Sequence, residues 1–264
     1  MRRSSVARAS QDQSSIVRPP RPPVLPNGLT TLYPTRTNLS NNAITADVVF
    51  VHGLGGSPVD SWTHRDSGLF WPLYLLPNSF NNIRIMTYGY DSAWVKRPLG
   101  AANQMTTSQH GISLLNDVAA ERRSCPTRPI IFVGHSYGGI VILETLSQSS
   151  GSLVEVEKNI SLATQGTIFF GVPFRGSHLA SWASMARLMA SLAGFPTARG
   201  LIADLNPSSG SSKLEDLCQN FSRMLHEREI LLCKFAEGHA HPKLRTVVMI
   251  ETPVISLLLS LTLL

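Results

Sequence analysis

Short, wholly apolar runs alternate along this chain with longer stretches in which apolar residues recur at helical spacing. Val48-Val49-Phe50-Val51, Ile83 to Tyr88, Ile130-Ile131-Phe132-Val133, Gly166 to Gly171, Ile230 to Phe235 and Thr246 to Ile250 read as buried strands. Leu29 to Tyr33 reads as a first, edge strand and Thr35 to Thr45 as polar loop. Between the strands, Ser108 to Arg123 predicts an amphipathic helix with Ile112, Leu115 and Val118 on its buried face. Ile140, Val141, Leu143 and Leu146 predict a second helix, Lys213 to Arg228 a third, and His178 to Leu192 another. Ser61-Trp62 and Phe70 to Leu76 place aromatic residues on a helix that covers the sheet as core. Such alternation predicts an α/β class, with a mostly parallel sheet, right-handed crossovers and helices on both faces.

Two strand ends are rich in glycine, and they carry the candidate chemistry. The run ending at Val133 enters Gly134-His135-Ser136-Tyr137-Gly138 and then a helical pattern, so strand, sharp turn and helix follow one another directly. In a G-x-S-x-G of this context the turn strains its central residue, and the flanking Gly134 and Gly138 let neighbouring backbone pass close by. Ser136 is the candidate nucleophile. The earlier strand ends in His52-Gly53-Leu54-Gly55-Gly56, which a parallel sheet delivers to the same edge. An oxyanion needs two preorganised N–H donors, one from the residue after the nucleophile and one from such a loop, which selects Tyr137 and Leu54. His52, Gly53, Gly55 and His135 support the loop and the turn.

Composition narrows the alternatives. At 264 residues and 43% hydrophobic content, one large core is expected, with residues 28–264 forming the domain. The net charge of +6 is largely a property of the beginning of the chain, where Arg2, Arg3, Arg8, Arg18 and Arg21 face the single acid Asp12. No aromatic residues interleave with these arginines, so no nucleic-acid partner is expected. Residues 1–27, rich in Arg, Ser and Pro and ending in Pro19-Pro20-Arg21-Pro22-Pro23 and Val24 to Asn27, are expected to be a disordered tail or semi-rigid linker; their composition is also that of a mitochondrial targeting peptide. Cys125, Cys218 and Cys233 show neither C-x-x-C spacing nor a grouping with histidine, which reads as free thiols in a reducing compartment. Neither metal nor cofactor is expected. The Gly/Pro/Ser-rich stretch from Gly194 to Ser212 reads as a lid-like insertion, and the apolar Val254 to Leu264 is shorter than a bilayer-spanning helix.

The ordered series VVFVHGLGG, FWPLYLLP, RIMTYGYD, IIFVGHSYGGIV and FFGVPFRGS resembles the α/β-hydrolase superfamily over about residues 46 to 252. Within it the likeness is to the serine active site containing proteins and the hydrolase domains fused to fungal NACHT receptors, and more distantly to the GPI inositol deacylases. That resemblance implies an α/β-hydrolase fold and a serine esterase or lipase-like activity on a small-molecule or lipid ester. It further implies peripheral membrane association, at mitochondria or endoplasmic reticulum; a cytoplasmic pool is the alternative. Where the family usually carries Gly-Thr-Pro-His-Arg-Gly-Ser, this chain has Gly171-Val172-Pro173-Phe174-Arg175-Gly176-Ser177.

The family's triad runs serine, acid, histidine. Glu237, after the run ILLCKFAE, matches the family's strand-end acid, with Glu251 the fallback. No histidine follows Thr246 to Ile250; the last two, His239 and His241, lie between the two final strands. Three readings stay open: the chain is C-terminally incomplete, His241 or His239 serves as the base from an unusual loop, or the protein is a catalytically impaired binding or signalling module on a hydrolase fold.

Overall fold

A computed structural model describes residues 19–34, 44–92, 105–172 and 213–235. In chain order they form β1 (Gly28–Tyr33), β2 (Ala46–Val51), a 3-10 turn (Asp60–Trp62), α1 (Trp71–Tyr74), α2 (Leu76–Ser79) and β3 (Ile83–Gly89). Then follow α3 (Thr107–Glu121), β4 (Ile130–His135), α4 (Tyr137–Gly151), α5 (Glu155–Ala163), β5 (Thr164–Phe170), α6 (Lys213–Arg228) and β6 (Leu231–Phe235). The described strands make one six-stranded sheet in the order β1-β3-β2-β4-β5-β6. It is parallel except for β1, which pairs antiparallel with β3 at the edge.

The apolar runs became central strands because both of their faces are covered. Val49, Val51, Met86, Tyr88, Ile130, Phe132 and Phe169 pack under α3, α4, α5 and α6. Residues of opposite parity, including Val48, Phe50, Ile85, Ile131, Val133 and Ile168, pack under Trp62, Phe70, Trp71 and Leu73. α4 runs directly beneath the sheet, with Ile140, Val141, Ile142, Leu143 and Leu146 buried. A capping box starts α3: Thr106 accepts from the Gln109 N–H and the Gln109 side chain accepts from the Thr106 N–H.

Several expectations are corrected. Ile112 is 41% exposed, and the packed face of α3 is Leu114, Leu115, Val118 and Ala119. Leu115 and Val118 are buried as expected, and a Cβ on Gly111 would overlap the Glu144 side chain, so α3 lies close on α4 at that position. The single helix expected over Phe70 to Leu76 is two four-residue turns, each with a proline at its start, Pro72 and Pro77, where a missing N–H is tolerated. Glu155–Ala163, assigned no element from sequence, is helical although Leu153, Val154, Val156 and Leu162 are exposed. Ahead of β1, the Tyr74 hydroxyl donates to the Pro20 carbonyl at 2.6 Å and Val24 packs on the core.

The edge of the sheet where β2 begins holds a charge cluster that the apolar pattern concealed. Asp47 is fully buried and receives Arg84 at 2.8 and 2.9 Å, Arg128 at 3.2 Å and the Nη1 of Arg122. No helix among the described residues is long and apolar enough to cross a membrane. The predicted elements at 178–192, 194–212, 246–250 and 254–264 lie outside the described residues.

Candidate active site

Ser136 stands between the last residue of β4 and the first of α4, with φ 51° and ψ −123°. An L-residue in that conformation is strained at a cost of about 1–3 kcal/mol, so the surroundings must hold it there. They do so through backbone. The Ser136 N–H donates to the Phe170 carbonyl at 2.8 Å, and its own carbonyl accepts the Gly139 N–H at 3.0 Å. β4 is also locked between β2 and β5. The serine is 7% exposed, at the sheet edge opposite the Asp47 cluster.

The two glycine-rich strand ends meet there. A Cβ on Gly138 would overlap the carbonyl oxygens of Val51 and His52, so the first turn of α4 lies directly on the end of β2. A Cβ on Gly53 would stand 2.9 Å from the Ser136 Cβ, which puts the loop after β2 against the nucleophile position. The Gly53 carbonyl accepts the Gly56 N–H at 3.1 Å with Gly55 at φ 66°, the geometry of a type II turn that presents Leu54 at its corner. Ser92, just beyond β3, braces that turn: its carbonyl accepts the Gly55 N–H at 3.3 Å and its hydroxyl donates to the Gly56 carbonyl at 3.0 Å. Tyr137 opens α4, where a helix supplies no acceptor of its own for the first N–H groups. Its buried hydroxyl lies 3.0 Å from the Thr107 Oγ1.

His52 serves this loop. With no solvent exposure, its Nδ1 donates to the Gly53 carbonyl at 2.9 Å and its Nε2 accepts the Tyr90 N–H at 3.3 Å. The Tyr90 hydroxyl donates to the His52 carbonyl at 2.7 Å, and the two rings stack at 4.3 Å. Burial pushes the imidazole down to about 4, so it is neutral at physiological pH, and both ring nitrogens are engaged within the loop. His135 is half-buried and edge-on to Trp62 at 6.3 Å. Ser136, Leu54, Tyr137, His52, Gly53, Gly55, Gly134, His135 and Gly138 are thus brought together at one edge.

Glu237, His239, His241 and Glu251 lie outside the described residues. What the structure describes is where β6 ends. His135 is level with Phe170, and Phe170 with Phe235, so the end of β6 stands two strands from the turn, about 10 Å at ordinary strand spacing. Tyr90, Ser92 and Thr107 were missed from sequence. Their signal was only that Tyr90 and Ser92 follow the strand neighbouring β2, where polar groups can reach its loop. Also missed was Glu144, a buried acid on α4 that accepts from Ser108 at 2.8 Å and Gln148 at 2.7 Å and pairs with Lys213 at 3.5 Å, tying α3, α4 and α6 together.

Residues 48–248 match the model of a family described as the alpha/beta hydrolase family. The chain is similar to Protein SERAC1 of Danio rerio, at 29% identity over 75% of this chain and 31% of that protein. It is likewise similar to Protein SERAC1 of Homo sapiens, at 26% identity with 75% and 31% covered. It therefore spans about a third of the length of these curated relatives, 31%. Among solved structures it is similar to the mature form of Bacillus licheniformis lipase BlEst2, at 17% identity and a TM-score of 0.44, covering 78% of this chain and 67% of that one. An acetylxylan esterase is similar at 16% identity and a TM-score of 0.38, covering 52% and 67%.

Proposed function

We propose that this chain, which belongs to the alpha/beta hydrolase family, is a serine hydrolase acting on carboxylic ester bonds. The observation that carries the reading is Ser136 held at φ 51° with the His52-Gly53-Leu54 loop packed against it. In a nucleophile elbow a serine at such a junction carries its Oγ above the sheet beside backbone N–H groups, which a plain strand-to-helix turn does not do.

In this reading Ser136 Oγ attacks the ester carbonyl, and its proton passes to a histidine, His239 or His241, oriented by Glu237 or Glu251. The carbonyl oxygen, now an oxyanion, is held by the N–H groups of Leu54 and Tyr137. Collapse of the tetrahedral species expels the alcohol, which takes the proton, and leaves Ser136 acylated. Water then repeats the sequence and frees the acid. A lipid ester as substrate and association with a mitochondrial or endoplasmic-reticulum membrane extend the proposal, on the resemblance of the sequence blocks alone; imaging of the full chain against one lacking residues 1–18 tests the location, and identical diffuse signals would remove it.

Fluorophosphonate labelling of wild type against Ser136→Ala tests the chemistry. Labelling that the substitution abolishes is expected. A folded wild-type chain that takes no label would sink the enzyme reading and favour a binding module on the same fold.

A further inference from the structure

The N–H assigned to the oxyanion from Tyr137 belongs to the peptide unit between Ser136 and Tyr137. That unit follows a strained residue, so its plane must be held against turning. Backbone fixes one side of it: the oxygen of the unit accepts the Gly139 N–H at 3.0 Å. The other end is the Tyr137 Cα, and the side chain it carries reaches across to α3. There the hydroxyl of Tyr137, a residue with no solvent exposure, lies 3.0 Å from the Oγ1 of Thr107, itself 1% exposed. Either hydroxyl can donate, and in a contact without water such a bond is directional and costly to lose.

Thr107 is a firm support for that bond. It is the first residue of α3, next to the Thr106 cap, and the helix is tied to α4 on both sides of it. The Ser108 hydroxyl donates to Glu144 at 2.8 Å, and the Thr145 hydroxyl donates to the Gly111 carbonyl at 3.0 Å. The Tyr137 ring is also held from the side, with Tyr90 at 6.4 Å and His110 edge-on at 6.5 Å. Tyr90 is the residue that stacks on His52, so one buried seat joins the loop bearing Leu54 to the helix start bearing Tyr137.

We propose that Thr107 is a positioning residue: its hydrogen bond to the Tyr137 hydroxyl braces that residue from α3 and so sets the direction of the Tyr137 N–H beside Ser136. The inference rests on the serine-hydrolase reading above and adds to it a group on another helix, 30 positions from Tyr137 in sequence. Its effect belongs to the transition state. A neutral carbonyl or phosphoryl oxygen gains little from a well-aimed N–H, whereas the same oxygen carrying charge during attack by the serine gains much, so misdirection slows the chemical step and spares binding.

The test is fluorophosphonate labelling of the full chain over a range of probe concentrations, at temperatures where each variant is folded. A wild type that takes no label overturns the underlying reading and this inference with it. Given labelling that Ser136→Ala abolishes, Thr107→Val, which keeps the shape and removes the hydroxyl, should lower the limiting rate by about 10-fold, with the half-saturating probe concentration unchanged within about 2-fold. Thr107→Ser should recover most of that rate. Tyr137→Phe should match Thr107→Val, and it stands in for that variant should the latter fail to fold. The double variant should be no slower than either single one, since both remove the same bond. Wild-type limiting rates in Thr107→Val and Tyr137→Phe overturn the inference and leave the serine chemistry standing. So does a loss that Thr107→Ser fails to rescue, a change confined to the half-saturating concentration, or losses that multiply in the double variant.

Discussion

The Tyr90 hydroxyl donates to the main-chain carbonyl of His52 at 2.7 Å, while the Tyr90 N–H donates to the Nε2 of the same histidine at 3.3 Å. One residue after β3 thus holds both the backbone and the ring of the residue that turns β2 into the loop beside Ser136. Tyr90→Phe keeps the stacked ring and leaves that buried carbonyl short of a donor, a loss of about 1–3 kcal/mol. In a chain of this size each kilocalorie lowers the melting temperature by about 2–4 °C. Fluorophosphonate labelling of Ser136 should slow by about 10-fold, less than the roughly 10²- to 10³-fold typical when an oxyanion donor is deleted outright.

His52 makes stability depend on acid. Its folded-state value, about 4, lies below the ordinary 6.5, so the unfolded chain binds the extra proton between those values. Stability is therefore full above pH 6.5 and falls as the pH drops towards 4, by up to about 3 kcal/mol from this group. His110, also depressed by burial, acts in the same direction. Denaturant titrations from pH 7 to pH 4 should show the decline. His52→Asn, which can both donate and accept, should flatten it, and an unchanged slope would remove His52 as its source.

Strain at Ser136 separates fold from chemistry. Glycine adopts φ 51° and ψ −123° freely, whereas alanine is strained there as serine is. Ser136→Gly should therefore be about 1 kcal/mol more stable than Ser136→Ala, a difference of about 2–4 °C in melting temperature. Both should take no fluorophosphonate. Equal melting temperatures for the two variants would mean that the surroundings relax around residue 136.

Asp47 balances Arg84, Arg122 and Arg128 from a site with no solvent exposure. Asp47→Ala leaves guanidinium groups buried without their counter-charge, and breaking such a cluster costs about 3–5 kcal/mol. Chemical denaturation should report that loss. At temperatures where the variant remains folded, its rate of labelling at Ser136 should match wild type, because the cluster is at the far edge of the sheet.

The sheet and the serine turn were legible because each rests on local signals. Ile130 to Val133 has no polar residue to suggest a solvent face, and Gly134 and Gly138 mark where backbone must pass. Lys213–Arg228 was read to the residue from its helical spacing. What escaped were relationships between distant segments. Nothing near Tyr90 announces that its hydroxyl will reach His52, 38 positions away. Asp47 was hidden inside an apolar run because its arginine partners are 37 to 81 positions distant. α5 eluded the pattern because its exposed Val156 and Leu162 blur its apolar stripe.

Placing the charged cluster at one border of the sheet and the serine turn at the other gives the molecule two independent ends. The charge-balanced anchor lies where β2 begins, and the loop packed against Ser136 where it finishes. A lineage built on this plan can exchange the segments after β2, β4, β5 and β6, trying new substrates or surrendering turnover altogether, while the anchoring end keeps the strands in register. Divergent selectivity is then inexpensive for such a scaffold, and descendants that differ in chemistry can share an almost unaltered foundation.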